Sequence, residues 1–236
     1  MKRALVIALL IIAAIPLLIA VAGLPPHGSL DAPIQTHVSA YYLEHGAEEA
    51  GAENIVTDVI LNYRGYDTSM EVVVIFTALA AVMATLLGKR TAPEASRSLS
   101  EEGVSVVVSF VVRLLAPFIA IFAIYVILNG HISPGGGFQG GAILGALFIA
   151  LTFVLGADRA QTLLPSELGS WLRAAAPLTF AIVGLLGLLM TGYYLGFPTA
   201  PELAWLRTAM IVVIEIGIGV GGAAIIATLF VVMEDE

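Results

Sequence analysis

Charges are scarce in this chain, so the few that fall inside apolar runs are the first places to look for chemistry. Lys and Arg total 10 and Asp and Glu 18 among 236 residues, 12% of the chain. Arg113 and Glu215 sit deepest in such runs. An ion in hydrocarbon is costly and normally finds a partner or a water path. At 1.5 Å per helical residue, Arg113 lies roughly 14 Å from the inner end of its run and Glu215 roughly 13 Å from the outer end of its own, which places both near a common midplane. Two readings fit: a salt bridge that locks two helices, or one element of a proton or ion relay. Pro117 removes the hydrogen bond that would end on the Arg113 carbonyl, so a kink or bulge is expected beside that cation.

Two further acids mark the outer mouth. Thr68-Ser69-Met70-Glu71 has the spacing of a capping box, with Thr68 as N-cap and Glu71 as its reciprocal partner. Asp67 stands four residues before Glu71 and shares its face if the helix starts early. Such a pair can bind a cation or relay a proton, and that role is compatible with capping. Asn129-Gly-His131-Ile-Ser-Pro-Gly-Gly-Gly137-Phe-Gln-Gly-Gly141 reads as a tight turn flowing into a helix. Its small residues continue at Gly137, Gly141 and Gly145, and Gly217 and Gly221 repeat the spacing; this pattern lets helix backbones approach closely. His131 titrates near neutral pH in principle, although a lone loop histidine is more often simply solvated. No Gly-Lys-Ser/Thr follows the glycines, so this is not a phosphate loop. No nucleophile triad and no His/acid metal cluster is visible, so no catalytic and no metal-ligating residue is expected. With 0 cysteines, disulfides, thiolate zinc and iron–sulfur ligation are excluded within the chain. Any redox chemistry belongs to a partner.

The elements that must position these residues are membrane spans. The chain is 59% hydrophobic, with a mean hydropathy of +0.98, which excludes an ordinary soluble domain. A net charge of −8 excludes the basic footprint of a nucleic-acid binder. Six apolar runs reach the length needed to cross the bilayer, at about 4–22, 71–88, 104–128, 138–156, 174–194 and 207–232. They lack alternating polarity, so they read as helices: an all-α integral membrane protein of about six transmembrane helices, two plus four. Lys2, Arg3, Lys89, Arg90, Arg97, Arg159 and Arg173 flank one side, with Arg64 and Arg207 towards the other. The positive-inside rule then puts both termini in the cytoplasm and residues 23–70 outside. Trp171 suits the inner border, and Tyr125, Tyr193, Tyr194 and Trp205 suit the outer one. The first run has a rival reading as a cleaved signal sequence, with Met1-Lys2-Arg3 as its basic start and Ala20-Val21-Ala22 as its small-residue site. Either way residues 23–70 end up outside.

Residues 91–103 form a polar linker between a two-span unit (1–90) and a four-span unit (104–236), with no repeat between them. The outside segment carries Asp31, Glu44, Glu48, Glu49, Glu53, Asp58 and Asp67 against one Arg64. Short amphipathic helices are expected at 36–49 and 54–63, the second turning Ile55, Val56, Val59, Ile60 and Tyr63 to one side. The segment is either a cap lying on the membrane against partner helices, or an acidic mouth in which Glu44, Glu48 and Glu49 concentrate cations.

The turn His131-Ile-Ser-Pro-Gly-Gly-Gly-Phe-Gln-Gly-Gly resembles the signature of the B subunit, of MnhB/MrpB type, of multisubunit Na⁺/H⁺ antiporters, and the four-span layout is similar. His37-Val-Ser-Ala-Tyr-Tyr-Leu-Glu-His-Gly, Gly51-Ala-Glu-Asn-Ile-Val-Thr-Asp-Val-Ile-Leu and Tyr63-Arg-Gly-Tyr-Asp-Thr-Ser-Met-Glu71 resemble the C-terminal tail of the large A subunit, which in membrane-bound hydrogenases is a separate small subunit. This chain has Ser69-Met70 where that family usually has Leu-Gly before the Glu. A tail starting at Met1 and fused to a B-like unit looks like the antiporter module of respiratory complexes related to complex I, of hydrogenase or sulfur-reductase type. The resemblance implies a prokaryotic cell-membrane component, not an enzyme by itself. It would move Na⁺ and H⁺ beside antiporter-like subunits and a hydrogenase-like redox arm whose partners hold any iron–sulfur or metal centre. Membership of a stand-alone antiporter and a non-conducting scaffold are the alternatives.

Overall fold

The computed structural model describes residues 2–87, 104–156, 159 and 162–234, so the expected linker 91–103 and the flanking Lys89, Arg90 and Arg97 lie outside the described residues. Every regular element among the described residues is helical. The elements are α1 (Lys2–Ala22), α2 (Pro33–Thr36), α3 (Val38–Glu49), α4 (Ile55–Thr57) running into a π-helical turn (Asp58–Tyr63), α5 (Gly65–Leu87), α6 (Val106–Leu128), α7 (Gly137–Leu155), α8 (Ser166–Thr191), a short 3₁₀ turn (Pro201–Leu203) and α9 (Ala204–Glu234). Six of these helices, α1 and α5 to α9, are long and apolar enough to cross a membrane. Each overlaps one of the runs expected from hydropathy, with ends that differ: α5 and α8 start earlier than expected, at Gly65 and Ser166, α6 starts later, at Val106, and α8 ends earlier, at Thr191.

The chain divides by compactness into residues 1–44 and 45–236. The first unit contains α1, apolar all round, with Leu9, Leu10, Ile12, Leu17 and Ile19 exposed. In the second unit α9 is central and packs against α7 and α8, while α6 packs on α7 and α5 packs on both α8 and α9. The core gathers Leu61 from the π turn, Val72 from α5, Ala176, Phe180 and Val183 from α8, and Met210, Ile211, Ile214 and Ile218 from α9. Leu195 and Phe197 close it from the α8–α9 connection. Phe110, Phe118, Ile121 and Phe122 on α6 face outward, as expected where lipid tails or partner helices supply the solvent.

Three local expectations are corrected. Thr68 is not an N-cap: α5 starts at Gly65, and the buried Thr68 hydroxyl donates to the Ile60 carbonyl at 2.6 Å. Glu71 is therefore the seventh residue of its helix and caps nothing. In 54–63 the fully buried residues are not the expected apolar set, of which Ile55, Val59, Ile60 and Tyr63 are only partly buried. Thr57, Asp58 and Leu61 are buried while Val56 is exposed. The π turn explains the shift: Arg64 N–H reaches back to the Val59 carbonyl at 2.8 Å, widening the helix by one residue. Tyr194 is no lipid-facing anchor, because it packs on the core and its hydroxyl donates to the Phe180 carbonyl at 3.3 Å. Tyr125, Trp171, Tyr193 and Trp205 are exposed.

The glycine stripe of α7 lies against α9. A Cβ at Gly141 would stand 2.7 Å from the Gly219 carbonyl oxygen, and one at Gly145 would stand 2.8 Å from Ile226 Cβ. Gly137 meets the backbone of Glu215. Gly217 and Gly221 face the other neighbour, with Thr179 and Ala176 of α8 in the space a side chain would take. Real side chains do not occupy such gaps, so Gly141→Leu is expected to lower the yield of assembled complex severalfold in size-exclusion chromatography of detergent extracts. Gly222→Ala, with nothing near the added carbon, is expected to leave it unchanged; equal yields would remove the close approach of α7 and α9 as an assembly determinant.

Candidate functional site

Residues 46–63 fold onto the bundle as a plug, and the site lies beneath it. Asn54 caps α4, its side-chain oxygen accepting from Val56 N–H at 3.1 Å. The amide of the same side chain donates to the carbonyls of Gly130 and Ser133 at 2.8 and 2.9 Å. The backbone N–H groups of Glu53 and Asn54 donate to the His131 carbonyl at 2.8 and 3.1 Å, and the Thr57 hydroxyl donates to Gly130 at 2.8 Å. One short segment therefore satisfies three carbonyls of the α6–α7 turn.

Below that contact lies the Glu215 carboxyl, 2% exposed. Its Oε1 is 3.5 Å from Thr57 Oγ1, and its Oε2 is buried without a hydrogen-bond partner. Its walls are glycines. A Cβ on Gly130 would collide with the carboxylate, and one on Gly136 would stand 3.0 Å from Oε1. Gly136 is also at φ 120°, a backbone state that side-chain-bearing residues rarely adopt. Two more buried ions flank this point. Asp58 is 1% exposed; Oδ1 accepts from Ala52 N–H at 3.1 Å, and Oδ2 has no partner. Burial raises the Asp58 pKa to about 6, offset in part by that N–H. Arg207 is 6% exposed and donates to the carbonyls of Pro198 and Glu48 at 3.0 and 3.1 Å, with Gly51 against its stem.

Arg113 and Glu215 do not pair. Arg113 is exposed and reaches the Val154 carbonyl at 3.4 Å, at the carboxyl end of α7. Glu215 lies at the amino end of the same helix, roughly 26 Å away by helical rise. The common midplane fails because the α6–α7 turn meets Glu215 well below the start of α9. Pro117 lies within a helix that runs unbroken from Val106 to Leu128. Asp67 accepts from the Arg64 guanidinium at 2.7 Å on the surface, and Glu71, one turn on, is exposed on the same helix. Glu44, Glu48 and Glu49 are exposed; Glu49 accepts from the Tyr63 hydroxyl at 2.8 Å. His131 is partly buried, not freely solvated, and its Nδ1 has no partner. Among the described residues no group of three His, Cys, Asp or Glu side chains is placed to hold a metal ion.

Sequence patterns do not mark Thr57, Asn54 or Arg207 as site residues, and Asp58 counts there only as one acid among several. The available signal is a polar pair, Thr57-Asp58, interrupting an apolar run.

A helical membrane protein in which a folded plug seals a buried carboxyl is the class defined by this geometry. The chain belongs to the family described as a domain related to the MnhB subunit of the Na⁺/H⁺ antiporter, which matches residues 107–228. Residues 3–102 match the family of the MBH E subunit, MbhE. A chain in the structure of the membrane-bound sulfane sulfur reductase, an archaeal respiratory membrane complex, is 32% identical with a TM-score of 0.69, and the likeness covers 97% of each chain. The Mrp complex of Dietzia sp. DQ12-45-1b contains the same fold at 23% identity and a TM-score of 0.63, over 96% of this chain and 26% of that one. An uncharacterised Methanocaldococcus jannaschii protein is 29% identical over 176 residues, and the probable A/B subunit of a Rhizobium meliloti K⁺/H⁺ antiporter is 24% identical over 192. The chain spans 65% of the length of the first and 18% of the second.

The raised Asp58 pKa carries a signed consequence. Between its usual 3.8 and about 6 the closed plug holds a proton that the opened plug releases. Closure is therefore favoured below about pH 4 and weakens as pH rises through 6. Protection of the amides at residues 52–63, taken relative to their intrinsic exchange rate at each pH, is expected to fall over that window, by no more than roughly 3 kcal/mol of opening free energy. Asp58→Asn, which keeps the acceptor for Ala52, should abolish the dependence. A dependence unchanged in Asp58→Asn would assign it to another group.

Proposed function

We propose that this chain is a membrane subunit of the Na⁺/H⁺ antiporter-like, ion-translocating module of a redox-driven respiratory complex of membrane-bound hydrogenase or sulfur-reductase type. The end-to-end likeness to a chain of the sulfane sulfur reductase complex carries this reading, because that likeness runs through both family regions of this chain. In this reading residues 1–90 are the A-tail-like module, 91–103 a cytoplasmic linker and 104–236 the B-like module. Both termini face the cytoplasm of a prokaryotic cell. The chain performs no redox step itself; iron–sulfur or metal centres belong to partner subunits, and Na⁺ and H⁺ are cargo.

Within the chain, Glu215 is the ion-handling group, since a buried carboxyl with an unsatisfied oxygen has no structural need to be there. Asp67 and Glu71 form the outer approach on one face of α5, and the acids at 44, 48 and 49 supply the field that gathers cations. His131 lies beside the path. Arg113 is structural, a cation at the negative end of α7.

Three measurements test this. Purification of the intact complex from native membranes is expected to recover redox subunits with this chain; antiporter subunits alone would assign it to a stand-alone antiporter. Glu71→Gln should leave the complex assembled and lower Na⁺-dependent proton movement severalfold, because capping no longer explains that carboxylate. Unchanged transport in both Glu71→Gln and Glu215→Gln, with assembly verified, would reduce the chain to a scaffold. The isolated chain in liposomes is expected to exchange neither ion.

A further inference from the structure

We propose that the ion Glu215 binds is a proton and not Na⁺, and that it sits as a carboxylic O–H donated to the Thr57 hydroxyl; this rests on the ion-translocating reading above. The argument is a count of hydrogens. The Thr57 hydroxyl has a single proton, and the Gly130 carbonyl at 2.8 Å takes it. What Thr57 turns towards Glu215 Oε1, 3.5 Å away, is then a lone pair. That contact becomes a hydrogen bond only if the proton is on Glu215, and a modest approach closes it. An ionised Glu215 would set lone pair against lone pair and leave Oε2 buried without any donor.

The cradle does not suit a hard cation. Such ions of similar size take roughly six or more oxygen ligands at about 2.3–2.6 Å. Around this carboxyl stand the methylenes of Gly130 and Gly136, so close that a carbon added at Gly130 collides and one at Gly136 would stand 3.0 Å from Oε1. The Gly130 carbonyl is already occupied by Thr57 and by the Asn54 amide at 2.8 Å. The charged or titratable groups nearest in the chain are Asp58 beside Thr57, His131 on the turn and Arg207 two turns earlier on α9, and none of them bonds to Glu215. Arg207 is held by two backbone carbonyls. The amino end of α7 favours the ion left when the proton departs, as a group that must both load and release requires.

The test is infrared difference spectroscopy of the purified intact complex. A protonated-carboxyl stretch is expected that disappears in Glu215→Gln, moves to higher frequency in Thr57→Val as its acceptor is lost, and returns in Thr57→Ser. It should not change with added NaCl, choline chloride serving as control. Proton movement should fall about a hundredfold in Glu215→Gln, the low side of what a positioned proton-transferring group contributes. A band that NaCl removes, or no Glu215-dependent band between about pH 5 and 9, would overturn the proposal. If Glu215→Gln fails to assemble, the Thr57 pair decides: a band indifferent to Val and Ser also overturns it. A wild-type complex that moves neither ion refutes the functional reading, while the spectrum still decides where the proton lies.

Discussion

The turn between α6 and α7 is the constraint on which the rest depends. It is non-helical backbone that meets α9 at Glu215, the twelfth residue of that helix, so it lies roughly 16 Å along α9 from Ala204. Irregular backbone at such depth persists only where protein satisfies its polar groups. Here the donors come from residues 53–57, far away in sequence. Each carbonyl left without a donor would cost about 1–3 kcal/mol, so the plug and the turn stand or fall together. This explains why the compact unit of residues 45–236 joins parts of both family regions.

The same turn shows one glycine run performing distinct tasks. Gly135 and Gly136 adopt φ of 141° and 120°, which redirects the chain so that α7 begins at Gly137. Gly130 leaves the volume that the Glu215 carboxyl fills, and Gly137, Gly141 and Gly145 let α7 descend along α9. A side chain at any of these points would move the turn away from the carboxyl or the helix away from its neighbour. Packing and chemistry are therefore not separable in this motif.

What hydropathy controls is legible in the sequence, and what long-range hydrogen bonding controls is not. The six spans can be read because every residue of a spanning helix satisfies its own backbone, so local composition decides. The α7 stripe can be read because close approach admits few residue types. The plug is legible only in part: the apolar pattern of 54–63 finds residues that are half-buried, such as Ile60, but misses Thr57 and Asp58, which are buried for their hydrogen bonds within a segment whose register the π turn shifts. Thr68 mimics a cap because a capping box is a local pattern, whereas its hydroxyl serves Ile60 in the preceding turn. Counting from run ends puts Arg113 and Glu215 at equal depth, which assumes that turns stay at the surface.

Their separation explains how both ions persist without each other. Arg113 lies where α7 exposes carbonyls and Glu215 where it exposes N–H groups, so each ion meets a helix end of opposite partial charge. Across roughly 26 Å, even an effective dielectric of about 20 leaves only about 0.6 kcal/mol between unit charges. That is too little to fix either side chain, and too little for the charge on one to govern the other. Arg113 is held by a permanent dipole. In the proposed reading Glu215 is favoured by a dipole when ionised and by Thr57 when neutral, which accommodates both of its states. A salt bridge would have supplied only the first.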